Sequence, residues 1–288
     1  GLLSEYLGHW LQSQELYNWS NKANPPSITQ TTVSNVKIPL PPLEEQKRII
    51  AVLDEAFEGL ETARANAEAN LKNAEELLTS VRETFLLPNE NNVSREDKIA
   101  LSEVATIAAR LVDPKLPEFR VLKHIGAGNI ISDSFSLTDV MTAEQEGLKS
   151  NKYLFESDNV LYSKIRPYLR KVSLPKQGGL CSADVYPLKV VKELILPEYL
   201  FELLLSEDFT DFAIAGSARA GMPKVNREHL FAYRFILPTI SHQETFVLIM
   251  NKTRSRIDEV SSVYEEKVEH TNELRQSLLQ KAFAGELT

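Results

Sequence analysis

Residues 38–46, IPLPPLEEQ, recur at 235–243 as FILPTISHQ without a gap. Leu40 aligns with Leu237, Pro41 with Pro238, Leu43 with Ile240 and Gln46 with Gln243. In each copy a proline fixes φ where a helix should begin. After the first copy, Glu44 and Glu45 put negative charge in the opening turn, where the helix dipole favours it. Apolar positions then keep a 4-3 rhythm through Leu53, Phe57, Leu60, Ala67, Leu71, Ala74, Leu78, Val81 and Phe85, interrupted only by Arg64. A helix of about 44 residues is roughly 66 Å long at 1.5 Å per residue. Such a helix cannot bury its seam alone, and the second copy supplies a partner. There Ile257, Val260, Tyr264, Val268, Thr271, Leu274 and Leu278 fall near heptad spacing. The similarity runs upstream as well. Ile28 matches Val225 and Val33 matches Leu230 in the same register, and after a short shift Tyr6-Leu7 matches Tyr199-Leu200. Two copies are too few for a solenoid and predict pseudo-twofold symmetry.

The pattern divides the chain into 1–37, the tail of a first globular unit; 38–87, a long helix; 88–98, a linker of turn formers around Pro88–Asn92; 99–237, a whole globular unit; and 238–288, the second long helix. Within 1–37 we expect a helix over Leu3–Leu16, a polar loop, and a short strand into the proline pair. The middle unit reads as α/β. A short helix begins near Ser102, and Phe119–Ile125 alternates as a strand before a turn at Gly126–Asn129. Tyr153–Tyr162 includes the apolar run Val160-Leu161-Tyr162, a buried strand, and Leu180–Leu188, which contains Cys181, is another. An amphipathic helix covers Pro197–Leu205, a small-residue loop Ala213–Pro223, a short helix or turn Glu228–Phe231, and a last strand Phe235–Leu237.

Composition narrows the function. Cys181 is the only cysteine, which excludes a disulfide framework and a cysteine metal site and fits a reducing cytoplasm. No apolar run reaches the length of a membrane span. The net charge of −8 is unlike that of a nucleic-acid binder, but its distribution matters more. Residues 41–98 carry −6, whereas 99–238 are neutral overall. Within the neutral part, Asn159–Ala183 holds no acid and includes Lys164, Arg166, Arg170, Lys171 and Lys176. Catalytic signatures are missing. Gly126-Ala127-Gly128 has no third glycine of a dinucleotide fingerprint, and no phosphate-binding Gly-Lys-Ser/Thr occurs. Asn24-Pro25-Pro26-Ser27 lacks the aromatic that adenine methyltransferases stack on a flipped base, so it reads as a polar loop.

Three motifs carry a family resemblance. The first is Pro41-Pro42-Leu43-Glu44-Glu45-Gln46, with its degenerate second copy Pro238-Thr239-Ile240-Ser241-His242-Gln243. The second is Val160-Leu161-Tyr162-Ser163-Lys164-Ile165-Arg166-Pro167-Tyr168-Leu169-Arg170-Lys171, preceded by Ser157-Asp158-Asn159 rather than the usual Gly-Asp. The third is the closing Ala282-Phe283-Ala284-Gly285-Glu286-Leu287-Thr288. With these the chain resembles the specificity (S) subunit of type I restriction-modification systems along its whole length, lacking most of the first target-recognition domain. The resemblance implies one globular α/β target-recognition domain flanked by two long conserved helices that pack as an antiparallel coiled coil. It implies a non-catalytic subunit that reads half of a bipartite double-stranded DNA target. Partners would be methyltransferase (M) and restriction (R) subunits. The chain itself would bind no cofactor; S-adenosylmethionine, ATP and Mg would sit on the partners.

Basic side chains at this density neutralise phosphate and can reach base edges. The expected DNA contacts are Lys164, Arg166, Tyr168, Arg170, Lys171 and Lys176, with Arg219, Lys224 and Arg227 from a second basic loop. Asn129 could read adenine, but a turn-forming role suits its place beside Gly126 and Gly128 better. The expected partner-binding residues on the helices are Glu44, Gln46, Leu53, Phe57, Leu60, Leu71, Leu78, Ile257, Leu274 and Leu278. With one whole recognition domain, two chains could also pair as a self-dimer to read a palindrome. The reading from another class is a coiled-coil adaptor whose globular domain binds protein rather than DNA.

Overall fold

The computed structural model describes residues 1–23, 25–86, 98–133, 136–217 and 223–287. Asn24, nearly all of the expected linker including Pro88–Asn92, and Arg219 lie outside the described residues. In chain order the helices are α1 (Ser4–Gln12), α2 (Gln30–Ser34), α3 (Leu43–Phe85), α4 (Leu101–Val104), α5 (Pro117–Arg120), α6 (Pro197–Leu203), α7 (Glu207–Ala215), α8 (Arg227–Phe231) and α9 (Ile240–Ala284). The strands are β1 (Lys98–Ala100), β2 (Ala105–Ile107), β3 (Leu111–Val112), β4 (His124–Ile125), β5 (Lys152–Phe155), β6 (Val160–Ser163), β7 (Val172–Ser173), β8 (Gly179–Cys181), β9 (Val185–Val190) and β10 (Arg234–Ile236). Two compact units result: Gly1–Glu76 with Arg256–Thr288, and Leu77–Ser255. The long helices α3 and α9 each contribute to both.

In the first unit the start of α3 packs antiparallel against the end of α9. Leu53 and Phe57 share a core with Leu279 and Ala282, and α1 closes it through Tyr6, whose ring meets Phe283 edge-on at 5.2 Å. Each fully buried aliphatic or aromatic side chain there contributes roughly 1.5–3 kcal/mol. Along α9 the expected Ile257, Tyr264, Val268, Thr271 and Leu278 are half-buried, but two expected positions are displaced by one residue. Val260 and Leu274 are 44% and 49% exposed, whereas Leu279 is buried. The inward row passes through Ser261, Thr271 and Arg275. Arg275 lies over the Phe57 ring at 4.4 Å and bonds Glu61 at 2.8 Å. Polar residues on the inward row made Leu274 look like the better seam residue. Phe85, the last expected seam residue of α3, is also exposed.

One device opens both long helices. Gln46 is buried, and its Nε2 donates to the carbonyls of Pro41 at 2.9 Å and Gly1 at 3.0 Å. Its Oε1 accepts from the N–H of Leu3 at 2.9 Å. Gln243 repeats this in the second unit. Its Nε2 donates to Pro238 and Leu194, both at 2.9 Å, and its Oε1 accepts from Leu196 at 2.8 Å. Leu3 and Leu196 are the N-cap residues of α1 and α6, and neither side chain can cap. The glutamine therefore supplies, from a distant helix, the acceptor that a helix N-terminus needs.

The second unit holds the sheets. Strands β2-β9-β6-β7 form one antiparallel sheet, and β3-β5-β8-β4 form another in which only β4 and β8 run parallel. Strands β1 and β10 pair separately, which delivers the chain into α9. The main core packs Tyr162, Leu188, Tyr199, Phe201, Phe209 and Phe235 against Leu78 and Val81 of α3 and Phe246 and Met250 of α9. Here too the two long helices meet antiparallel, and His242 Nε2 reaches the Phe85 carbonyl at 3.3 Å.

Several local expectations fail for identifiable reasons. Phe119–Ile125 is not one strand: Pro117 stands in the first turn of α5, and only His124–Ile125 is extended. No strand precedes Pro41; instead Thr29 caps α2 by accepting from the Thr32 N–H. Helix α1 ends at Gln12, and Leu16 opens a 3-10 turn. Ala213 belongs to α7, not to a loop.

A buried charge cluster has no signal in the sequence pattern. Arg82, fully buried on α3, bonds Glu202 of α6 at 2.9 Å and Asp133 at 3.3 Å. Arg254 of α9 meets the other oxygen of Glu202 at 3.0 Å. At the spacing that carries Gln46 onto Gln243, Phe57 falls on Arg254 and Arg82 on Leu279; at the shift carrying Tyr6 onto Tyr199, His9 falls on Glu202. The first unit thus fills the same three places with Phe57, His9 and Leu279.

The clamp and the charge cluster can each be tested by substitution. Gln243→Leu strands the Leu196 N–H and two carbonyls, and should cost about 2–4 kcal/mol in urea unfolding. Arg82→Leu alone should cost about 3–5 kcal/mol by leaving Glu202 short of a partner. The triple change Arg82→Leu, Glu202→His, Arg254→Phe should recover most of that stability, and a triple variant no more stable than Arg82→Leu would contradict the equivalence.

Candidate nucleic-acid interface

The acid-free run begins on β6, whose four residues are all buried. That burial explains why Tyr162 is core while the next residues emerge. Past β6 the backbone runs between two neighbours. The Lys164 N–H donates to the Asp184 carbonyl at 2.9 Å, and the Val225 N–H donates to the Lys164 carbonyl at 2.8 Å. Ile165 forms a bridge with Lys224, and the Arg166 N–H donates to Pro223 at 3.0 Å. These bonds bring together two basic segments that are remote in sequence.

The result gathers Lys164, Lys224 and Arg227 on one face, with Arg166 exposed beside the bridge. Lys224 Nζ lies 3.4 Å and Lys164 Nζ 3.9 Å from Asp184 Oδ1. Lys164 also sits 5.3 Å from the Tyr186 ring centroid. Burial lowers the Lys164 pKa below that of an ordinary lysine; Asp184 opposes the shift, and Lys224 and Arg227 add to it. Arg227 opens α8 behind its Asn226 cap and donates to the Tyr153 hydroxyl at 2.9 Å. Tyr153 and Asp184 belong to this face and were not singled out from the sequence; no local signal marks them.

Between Arg166 and Arg170 the chain makes a 3-10 turn, Pro167–Leu169. Both flanking arginines are left-handed, with φ of 50° and 45°. Bulky side chains rarely adopt that region, and such residues concentrate where a fold fixes a functional segment. The turn leaves Tyr168 54% exposed.

Other expected contacts are used internally. Arg170 reaches Asp133 at 3.6 Å and Glu207 at 3.9 Å. Lys171 donates to the Ala127 carbonyl at 2.8 Å. Lys176 is exposed, well along the chain from the bridged segments. On the helices, Gln46, Leu53 and Phe57 are buried within the first unit, Leu60 and Leu278 pack against them, and Leu78 packs in the second unit. Leu71 and Ile257 are half-buried. Gln46, Leu53, Phe57, Leu60, Leu78 and Leu278 thus pack within the chain's own units. Glu44 and Leu274 point outward, joined by Val52, Leu77, Leu248 and Val263.

A pair of antiparallel long helices, with a two-sheet domain that gathers a basic face, defines a class. Residues 1–71 match the family model for the Type I restriction modification DNA specificity domain. The chain is 26% identical to the EcoDI specificity subunit of Escherichia coli over 293 residues, covering 91% of this chain and 65% of that one. It is 21% identical to the EcoKI specificity subunit of E. coli strain K12 over 323 residues, covering 100% of this chain and 66% of that one. The chain thus spans about two thirds of the length of these relatives. Among solved structures, the HsdS subunit from Thermoanaerobacter tengcongensis matches at TM-score 0.55 and 20% identity, covering 98% of this chain and 70% of that one. A structure solved for the assembly and conformational transition of the type I R-M system matches at TM-score 0.73 and 20% identity, covering 99% and 69%. The solved structures share the fold. In its first 71 residues and across the curated relatives, the chain is similar to type I specificity subunits, the resemblance that the proline-led helices suggested.

Away from the basic face, the remaining polar candidates have structural roles. Asn129 accepts from Gly126 N–H at 2.8 Å and donates to Thr138 at 3.0 Å and Asp139 at 3.2 Å, so its amide closes a turn. Burial pushes the Cys181 thiol up to about 12. No metal-binding cluster occurs among the described residues. His124 is buried, with Nδ1 2.9 Å from Glu146. Burial lowers its pKa below 6.5, against the pull of Glu146. The unfolded chain therefore takes up this proton first on acidification. The stability is present above pH 6.5 and lost as pH falls toward the folded pKa. His124→Asn should lose less melting temperature than wild type on going from neutral to mildly acidic pH; equal losses would remove His124 from this account.

Proposed function

We propose that this chain is the DNA-reading subunit of a type I restriction-modification complex. The observation that carries the reading is the bridge from Ile165 to Lys224, which fuses two basic segments into one face on a neutral domain. The family match and the curated relatives support it. On this reading the domain over 99–237 recognises one half of a bipartite duplex target, and residues 1–37 are the tail of a first recognition domain. The basic side chains neutralise phosphates while Tyr168 packs against sugar or base. The chain is non-catalytic. Methylation with S-adenosylmethionine, and translocation with ATP and Mg, belong to partner subunits in the cytoplasm. The long helices (38–87 and 238–288) are the scaffold for methyltransferase and restriction subunits, and pairing with a second copy of the chain would restore a second reader. Their exposed apolar residues, including Leu77, Leu248, Val263 and Leu274, support a protein-docking role, as does the acidic charge of α3. No helix among the described residues is long and apolar enough to cross a membrane.

The test is duplex binding across a salt series with the methyltransferase partner assembled. Changing Lys164, Arg166, Lys224 and Arg227 together to Ala should weaken binding and reduce the salt slope by up to about 4, near 0.9 for each phosphate no longer neutralised. Lys171→Ala should leave the slope nearly unchanged. A quadruple variant with the wild-type slope would favour a protein-binding adaptor instead.

A further inference from the structure

The acid-free run from Asn159 ends at Asp184, and the fold turns that first acid back into the basic face. For phosphate binding alone this placement is a cost, since a carboxylate repels phosphate and cancels a cation. Yet the residue is firmly mounted. Its carbonyl accepts from Lys164 at 2.9 Å, and its N–H donates to Ser182 Oγ at 3.3 Å. Both lysines approach the same oxygen, Oδ1. Oδ2 makes no bond among the described residues, and the side chain is 44% exposed. Asp133 offers a contrast within the same unit: Arg82 approaches its Oδ1 and Arg170 its Oδ2, so both oxygens face cations. Asp184 instead gathers both cations at Oδ1 and leaves Oδ2 as an acceptor. Phosphate cannot use such an acceptor. The exocyclic amino group of cytosine can, because N4 is the donor that Asp and Glu accept from in the major groove.

We infer that Asp184 is a specificity-determining residue that accepts a hydrogen bond from a cytosine N4 amino group, an inference that rests on the DNA-reading proposal. Lys164 and Lys224 offset its charge and carry the flanking phosphates. The residue then does two things at once. It orients the two lysines through Oδ1 and reads a base through Oδ2.

The test uses duplexes with a randomised central stretch, selected by the full chain assembled with its methyltransferase partner and then sequenced. Wild type should enrich cytosine at one position. Asp184→Ala should lose that preference by roughly tenfold to a hundredfold, the usual discrimination of a good base contact, with the other positions unchanged. Asp184→Asn should lose it too and move toward adenine, which an asparagine amide matches through N6 and N7. Melting temperatures should stay close to wild type, because the backbone bonds of residue 184 do not involve its carboxylate. Unchanged selected sequences in both variants would overturn the inference. So would a weakening spread evenly over all positions, which would leave Asp184 as a positioner of the lysines only. Wild type that enriches no sequence and binds without salt dependence would remove the DNA-reading proposal itself, a result distinct from either.

Discussion

The structure depends on a side-chain amide placed six residues into each repeated motif. A long helix must begin somewhere definite, and the helix that packs beside its start has an N-terminus with no capping side chain of its own. Gln46 and Gln243 meet both needs. The amide is the right group because it presents a donor and an acceptor together. A glutamate could accept from Leu3 or Leu196 but would set a second negative oxygen against two carbonyls. This is a physical reason for the glutamine in Pro-Pro-Leu-Glu-Glu-Gln to survive in a second copy whose neighbours have otherwise drifted. It also fixes the axial position of each long helix against α1 or α6, on which the rest of the packing builds.

From that common start the two units diverge in how they fill equivalent places. Phe57, His9 and Leu279 make a mostly apolar contact, with the His9 and Phe57 rings 5.5 Å apart. Arg254, Glu202 and Arg82 make an ionic one. Buried ion pairs rarely stabilise more than apolar residues of similar volume, because desolvation offsets the attraction. What the ionic version adds is reach. Asp133 receives Arg82 on one side and Arg170 on the other, and Arg170 closes the turn that displays Tyr168. The charged set in the second unit thus runs continuously from α3 to the basic turn. The first-unit set extends instead to polar groups, His9 to Asp54 at 2.9 Å and Phe57 to Arg275, which bonds Glu61.

The features legible in the sequence were those with a period or a repeat. Both long helices, the repeated motif and the strands around Val160 and Val185 stand out because burial imposes spacing on apolar residues. The features that were not legible depend on partners far apart in the chain. Arg82 sits one residue from Val81 in an otherwise apolar stripe, and nothing local says that Glu202 waits 120 residues away. Leu274 has the right type for a seam, but Arg275 takes the inward place by laying its guanidinium on Phe57. The basic run was visible as composition, yet composition counts charges without showing which are already used. Arg170 and Lys171 are used, by carboxylates and by a backbone carbonyl.

That distinction reshapes the candidate interface. Read as a string, Lys164 to Lys176 is a continuous basic loop in which every cation is equivalent. The fold breaks the string at Arg166. Lys164, before the break, joins Lys224 and Arg227 across the Ile165 bridge, whereas Arg170 and Lys171, after it, turn back to brace the domain. A face assembled from short ends of separate segments can keep its frame while its reading residues vary, because β6 and β9 hold the backbone whatever side chains follow them. Sequence preference would then reside in a few outward positions, Asp184 among them, while the glutamine clamps and the helix pair stay constant behind it. On the proposed function, the buried frame bears the packing energy and the exposed ends would bear the choice of base, so each could change without disturbing the other.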